Sequence, residues 1–204
     1  MKLESVIYAI SGIFFGLIAG WIIGSQQASM APRPNAPAAE LAPAPPPASS
    51  GSVPGTPPPA ILDEAQVQAL RNVVDRDSKN AVARAQLGNL YYDAGRYSDA
   101  IKWYGESLAL NPKDVSVSTD LGVSYYYSNQ PDLALKQLEN SLQLDPAHTK
   151  TLLNMGVVRA FGKQDLKGAM EVWRRLVEIA PDSLEGRQAR QALDSLSSAH
   201  GTSP

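Results

Sequence analysis

Residues that could do chemistry are few in this chain of 204 residues. The two histidines, His148 and His200, have no partner at the spacing that metal ligands require, so we interpret both as surface residues. The chain has no cysteine, which excludes disulfides, thiolate catalysis and thiolate metal sites. No glycine-rich phosphate loop, nucleophile elbow or zinc-protease helix occurs. We therefore predict a protein that is not an enzyme and that carries no cofactor and no metal.

The charged side chains are spread along the sequence. The 18 lysines and arginines nearly balance the 20 aspartates and glutamates, and the net charge of −2 creates no field that favours nucleic acid. No two carboxylates stand apart from the rest, as paired acid–base catalysis would require. We therefore expect no nucleic-acid partner and no catalytic pair.

The strongest pattern in the chain is a match with itself at a spacing of 34 residues. A Leu-Gly or Met-Gly dipeptide begins the pattern in each copy. An aromatic, a small residue and a proline follow at fixed distances in the first two copies, and in the third the small residue and the proline come one residue later. The residues at these positions are Leu87, Gly88, Tyr91, Ala100 and Pro112, then Leu121, Gly122, Tyr125, Ala134 and Pro146, then Met155, Gly156, Ala169 and Pro181. A fixed period of this length predicts stacked supersecondary units.

Each copy is predicted to fold as two helices. In the first copy, apolar residues recur at helical spacing in residues 81–94 and again in residues 97–110. Gly95 lies between them, where a left-handed helix end needs no Cβ atom. Gly88 and Ala100 are small, and we expect them to let the two helix backbones approach closely.

The third copy and the two flanks depart from this pattern. Arg159 takes the place of the repeated tyrosine, and residues 161–166 contain one extra residue, for which we expect a longer turn around Gly162. Residues 61–80 align with the end of a repeat and are predicted to form a degenerate leading helix. Residues 184–204 are predicted to form a capping helix and a tail, since the helix has one apolar and one polar side.

This repeat is similar to the tetratricopeptide repeat (TPR) family, whose signature is a 34-residue period with this order of residues. The resemblance implies an all-α superhelix of antiparallel helix pairs with a C-terminal capping helix. The three repeats would then be residues 81–114, 115–148 and 149–183. It also implies a concave groove that is lined by the first helix of each repeat and that binds a protein or a peptide.

The resemblance places a set of side chains in this groove. They are Asn89, Tyr92, Val123, Tyr126, Tyr127, Leu153, Val157 and Phe161, with Ala85, Asp93, Thr119 and Ala160 at neighbouring groove positions. We expect Tyr126 and Phe161 to be the main anchors of a ligand, because aromatic residues dominate interface energetics. The alternative is that Tyr126 and Tyr127 pack between neighbouring repeats.

The best-known ligand site of the family is a clamp of lysines, an arginine and asparagines that holds an acidic C-terminus. Asn89 matches one asparagine of that clamp. Ala85 and Leu153 stand at lysine positions, and Asp120 stands where a positive or amide group would help. We therefore expect an aromatic and apolar groove that accepts a helix or an extended hydrophobic peptide.

The N-terminal region predicts a membrane anchor. After a short flank of residues 1–5, residues 6–24 carry no charge. Their 19 positions would make about 28 Å of helix, close to the roughly 30 Å of a bilayer core. Tyr8 and Trp21 lie near its ends, as interfacial aromatics do. The alternative is a cleaved signal peptide, whose apolar core is usually shorter.

Four glycines in this span recur every four residues. They are Gly12, Gly16, Gly20 and Gly24. Such a stripe lets membrane helices approach closely, so it predicts pairing of two copies. The alternative is that glycine is simply common in membrane helices.

Residues 25–60 are predicted to be a disordered, Pro/Ala-rich linker. Residues 30–60 hold 11 of the 16 prolines and almost no large apolar side chain, so they cannot bury enough surface to fold. Runs of three prolines favour polyproline II, which makes a semi-rigid spacer.

Together these features predict a non-catalytic adaptor, anchored by a single span in a bacterial inner membrane with its repeats in the periplasm. Similar layouts occur in cell-envelope assembly and in cytochrome c maturation. Two alternatives remain at this point: a self-associating structural protein that forms homo-oligomers, or an accessory subunit of a membrane enzyme complex.

Overall fold

The computed structural model describes residues 60–201, with side chains as far as Ser198. Within these residues the fold is all helical and contains no β-strand. The elements are α1 Glu64–Arg76, α2 Ala81–Asp93, α3 Tyr97–Leu110, α4 Val115–Tyr127, α5 Pro131–Leu144, α6 Thr149–Val157, a π-helix Val158–Gly162, α7 Leu166–Ile179 and α8 Leu184–Gly201. None of these helices is both long enough and apolar enough to cross a bilayer. The predicted span 6–24 and residues 25–59 of the linker lie outside the described residues.

The helices form three pairs, α2 with α3, α4 with α5, and α6 with α7. Helix α1 packs on α2, in the place that the second helix of a preceding repeat would occupy. Helix α8 packs on α7 and α6 and covers the other end of the array. A leading helix, three helix pairs and a C-terminal helix are the elements that the sequence predicts for this part of the chain.

The connections from each second helix to the next first helix repeat the same hydrogen bond. In each connection a backbone N–H donates to the carbonyl three residues earlier, as from Asn80 to Asp77 at 3.1 Å. The corresponding bonds run from Asp114 to Asn111, from His148 to Asp145 and from Ser183 to Ala180. The side chains of Asn80, Asp114 and Ser183 also accept a backbone N–H in the first turn of the following helix. Such N-caps satisfy backbone donors that have no intrahelical partner.

Each pair is held together by a large side chain that covers the glycine of the facing helix. Gly156 lies under Trp173, and a Cβ atom built on it would be 2.1 Å from Nε1 of the indole. Gly88 faces Tyr104 and Gly122 faces Leu138 in the same way. The small residue of each second helix is fully buried, with 0% exposure at Ala100, Ala134 and Ala169.

The extra residue of the third repeat lies in the π-helix, not in a longer turn around Gly162. The backbone N–H of Lys163 donates to the carbonyl of Val158 at 3.0 Å, five residues earlier, so the chain gains a residue without leaving the helix. The left-handed position after the π-helix belongs to Gln164, with φ of 56°. Gly95, with φ of 70°, and Asn129, with φ of 59°, hold that position in the first two repeats.

Arg159, which replaces the repeated tyrosine, stabilises the same turn through an ion pair. Its Nη1 lies 2.9 Å from Oδ2 of Asp165. Oδ1 of Asp165 accepts the backbone N–H of Gly168 at 2.9 Å and so caps α7. The hydrogen bond from Gly168, and then that from Arg159, hold the pKa of the Asp165 carboxyl below its usual value. The arginine at this position therefore links the π-helix to the start of α7.

Candidate binding groove

The predicted groove residues all lie on α2, α4, α6 or the π-helix that continues α6. We call the surface formed by these first helices the groove face. Asn89 is exposed, and Tyr92, Tyr126, Tyr127, Val157 and Phe161 are half-buried. Val123 and Leu153 are only 8% and 3% exposed, which corrects their predicted position. Thr119 and Ala160, at the neighbouring predicted positions, are also buried. Six of the eight predicted groove side chains remain accessible to a ligand.

A cluster of four tyrosines, Tyr92, Tyr97, Tyr126 and Tyr127, joins the first repeat to the second. The rings of Tyr97 and Tyr127 stack with their centroids 4.9 Å apart, and Tyr92 meets each of them edge-on, at 5.5 and 6.0 Å. Tyr126 lies against Tyr127 at 5.4 Å. We call this group the tyrosine cluster. Its rings pack between neighbouring repeats and also leave part of their surface exposed.

Burial raises the pKa of the hydroxyls in the tyrosine cluster above the usual value for tyrosine. It raises the pKa of Tyr126 to about 12. Burial, with smaller contributions from Tyr97 and Tyr126, also raises the pKa of Tyr127 to about 12. Tyrosine is already neutral at physiological pH, and these shifts move its ionisation further from that range.

Tyr126 has a second packing role, between the second repeat and the third. A Cβ atom on Gly162 would lie 3.2 Å from Cε2 of Tyr126 and 2.9 Å from Cβ of Pro131. The π-helix thus brings the backbone of the third repeat onto the ring of Tyr126. Truncating this ring would remove interior packing as well as groove surface, so Phe161 is the cleaner position at which to test binding.

Polar side chains lie beside the tyrosines on the groove face. Nζ of Lys150 on α6 lies 2.7 Å from Oδ1 of Asp120 on α4, and this ion pair joins the third repeat to the second. The hydroxyl of Tyr104 donates to Oδ1 of Asn89 at 2.7 Å. Lys150 is not among the residues that the sequence predicts for the groove. Lys150 and Asp120 are 30 positions apart, so the 34-residue period does not align them, and no pattern in the sequence indicates the pair.

Asp93 completes the polar part of the groove face. Its carboxyl has a pKa raised by partial burial and then by the negative charge of Asp120, while Lys150 acts in the opposite direction. Among the described side chains, no hydrogen bond or ion pair reaches this carboxylate. Asp93, Asp120 and Lys150 together carry one net negative charge.

Comparisons with known proteins agree with this architecture. A family model described as TPR repeat matches residues 88–127, and one described as tetratricopeptide repeat matches residues 119–183. A search of curated proteins finds no match.

Several solved structures share the fold. The first TPR of Spaghetti (RPAP3), bound to the HSP90 peptide SRMEEVD, is 25% identical, with a TM-score of 0.54, and the match covers 62% of this chain and 97% of that chain. MamA from Desulfovibrio magneticus RS-1 is 21% identical, with a TM-score of 0.55, over 59% of this chain and 68% of that chain. The Sgt2 TPR domain from Aspergillus fumigatus is 22% identical, with a TM-score of 0.54, over 60% of this chain and 82% of that chain. With its 34-residue period, its helix pairs and these matches, the chain is a tetratricopeptide repeat protein.

Proposed function

We propose that this protein is a non-catalytic adaptor that binds a peptide segment of another protein on the groove face. The observation that carries the proposal is the alignment of six accessible side chains along three successive first helices, with aromatic rings from two repeats in contact. A continuous surface of this kind fits an extended segment or one helix. The RPAP3 domain, which holds an HSP90 peptide, supports peptide binding by an array of this fold.

We further propose that residues 6–24 anchor the adaptor in a bacterial inner membrane, with the repeats in the periplasm and a role in envelope or cytochrome assembly. The uncharged span and its flanking aromatics support the anchor. Thirty linker residues in polyproline II would reach about 90 Å, so the repeats could meet a partner well away from the bilayer.

The topology can be tested with reporters fused after Pro204 of the full chain. Lys2 precedes the span, and the bias of positive charge favours a cytoplasmic N-terminus. A reporter that works only outside the cytoplasm should therefore be active, and one that works only inside should be silent. Activity of the cytoplasmic reporter would contradict the orientation, and recovery of the protein in the soluble fraction would contradict the anchor.

Groove binding can be tested by capturing partners from crosslinked membranes with variants of the full chain. Phe161→Ala and Asn89→Ala should each retain native helicity but weaken capture of the partner. Loss of a buried anchor commonly costs about 1–2 kcal/mol, or roughly five- to thirty-fold in affinity. We expect the larger effect at Phe161, because its ring can bury more apolar surface.

The controls for this experiment come from the same array. Leu133→Ala and Asn140→Ala change exposed side chains of α5, outside the groove face, and should leave capture intact. Gly122→Leu should unfold its repeat, because even the Cβ atom of the new side chain would lie 2.9 Å from Cγ of Leu138. Full-strength capture by folded Phe161→Ala and Asn89→Ala would place binding elsewhere, and capture of further copies alone would favour a self-associating role.

A further inference from the structure

The chain enters the helical array at the C-terminal end of α2. The backbone N–H of Ala60 donates to the carbonyl of Asp93, the last residue of α2, at 3.1 Å. Two residues later, Leu62 packs against the apolar core that α1, α2, α3 and α4 share. The residues that precede Ala60 are therefore tethered at one end of the groove face, since α2 is the first helix of that face.

The tyrosine cluster lies at the same end of the first repeat. Tyr92 directly precedes Asp93 in α2, and Tyr97 is the first residue of α3. The rings of Tyr97 and Tyr127 stack at 4.9 Å, and Tyr92 meets both edge-on, so several aromatic surfaces lie side by side. Each ring is half-buried, which leaves part of it accessible near the point where the chain enters.

The sequence just before Ala60 has the composition that aromatic grooves bind. Residues 54–59 are Pro-Gly-Thr-Pro-Pro-Pro, and no charge occurs between Glu40 and Asp63. A polyproline II helix has three residues per turn, so Pro54 and Pro57 would share one face. It makes no internal hydrogen bonds, and its carbonyls can accept hydrogen bonds from tyrosine hydroxyls. Such segments dock on aromatic-lined grooves at a low cost in conformational entropy.

The length and the charge of this segment match the cluster. Six residues in polyproline II would span about 19 Å. Ring-to-ring steps of 6.0 and 5.4 Å lead from Tyr92 through Tyr127 to Tyr126, so the segment is long enough to pass over all three rings. Nζ of Lys150 lies 2.7 Å from Oδ1 of Asp120, so the lysine of the groove face is already paired and an uncharged ligand fits beside it.

We propose that the tyrosine cluster is a polyproline-binding surface and that its occupant is segment 54–59 of the same chain. The short tether gives this segment an effective concentration on the order of millimolar, so even a weak contact is populated. The docked segment covers the part of the groove face that the first two repeats form, and a partner that binds there must displace it. This inference rests on the cluster and on the entry point of the chain, and it holds without any partner.

The test is photocrosslinking within the full chain, with a photoreactive amino acid in place of Thr56. Mass spectrometry of the digested protein should find residue 56 joined to the tyrosine cluster. Pro54→Ser with Pro57→Ser keeps the tether length and should lower the yield about five-fold, as the loss of about 1 kcal/mol does to an equilibrium constant. Tyr97→Leu should lower the yield to a similar extent in a chain of native helicity.

The matched control is Pro45→Ser with Pro46→Ser, which removes two prolines of the same linker farther from the array and should leave the yield unchanged. Equal yields from the native chain and the Pro54→Ser, Pro57→Ser variant would mean that the tether alone brings residue 56 to the cluster, and this would overturn the proposal. Crosslinks that map away from the cluster, or that join only separate, isotopically labelled copies, would overturn it too.

Competition with a partner has its own readout. The Pro54→Ser, Pro57→Ser variant should capture more partner from crosslinked membranes than the native chain does, and equal capture would overturn the competition. If neither chain captures a partner, the proposed function fails, while the crosslinks of residue 56 still decide whether the linker docks.

Discussion

Replacing Gly156 with alanine should destabilise the helical array by about 1–3 kcal/mol, and this would lower its melting temperature by several degrees. The added methyl group would lie 2.1 Å from Nε1 and 2.4 Å from Cε2 of Trp173, which is itself locked in the interior. Either the indole or the backbone of α6 must move to accept it. A thermal melt followed by circular dichroism measures the effect.

The matched control is Gly105→Ala, because Gly105 lies inside α3 and a Cβ atom there would meet nothing within 4 Å. Alanine at that position should stabilise the protein by about 0.5–1 kcal/mol through helix propensity. The second repeat suggests a rescue, since Gly122 faces Leu138 where the third repeat has Trp173. Gly156→Ala should therefore cost less in a Trp173→Leu background. Equal melting temperatures of Gly156→Ala and Gly105→Ala would contradict the close contact between Gly156 and Trp173.

Trp173→Ala should cost still more, about 3–5 kcal/mol, as is typical for truncating a buried aromatic. Trp173 is 1% exposed, and its Nε1 donates to the carbonyl of Leu153 at 3.1 Å. The change opens a cavity between α6 and α7 and removes the hydrogen bond that the indole donates to the Leu153 carbonyl. Chemical denaturation of the full chain would measure the loss.

Trp103 provides the comparison for this prediction. It is only partly buried and has Lys102 over its ring, with Nζ 5.3 Å from the ring centroid. Trp103→Ala should cost less than half as much as Trp173→Ala. If the two variants were equally stable, Trp173 could not be the residue that holds the third pair together.

The period of the sequence predicted the helix pairs well, because residue size alone fixes which positions can face each other. At position 88 only glycine fits, because a Cβ atom there would overlap the ring of Tyr104. A Cβ atom on Gly156 would overlap the ring of Trp173 in the same way. The start of α5 at Pro131 could also be read from the chain, since proline is accepted at the first turn of a helix.

The π-helix could not be predicted in the same way. The sequence shows that residues 161–166 contain one residue more than the other repeats, but a longer turn and a wider helical turn both accommodate it. Contacts far away in the sequence select the second solution, because Gly162 packs on Tyr126 and Pro131.

The sequence predicts which helices line the groove, but it does not predict which of their side chains are accessible. First helices contact both their own second helix and the neighbouring first helices, so apolar residues occur nearly all round them. The pattern therefore does not separate buried Leu153 from accessible Val157. The pair of Lys150 with Asp120 depends on the offset between adjacent repeats, which is set by packing and not by the period.

The central claim, that the groove face holds a protein partner, is tested most directly by site-specific photocrosslinking in living cells. A photoreactive amino acid would replace Asn89 or Val157 on the groove face, and Leu133 or Asn140 on α5, one position at a time in the full chain. We predict that the same partner is crosslinked from both groove positions and from neither α5 position. Crosslinks to a partner from the α5 positions, with none from Asn89 or Val157, would contradict the account.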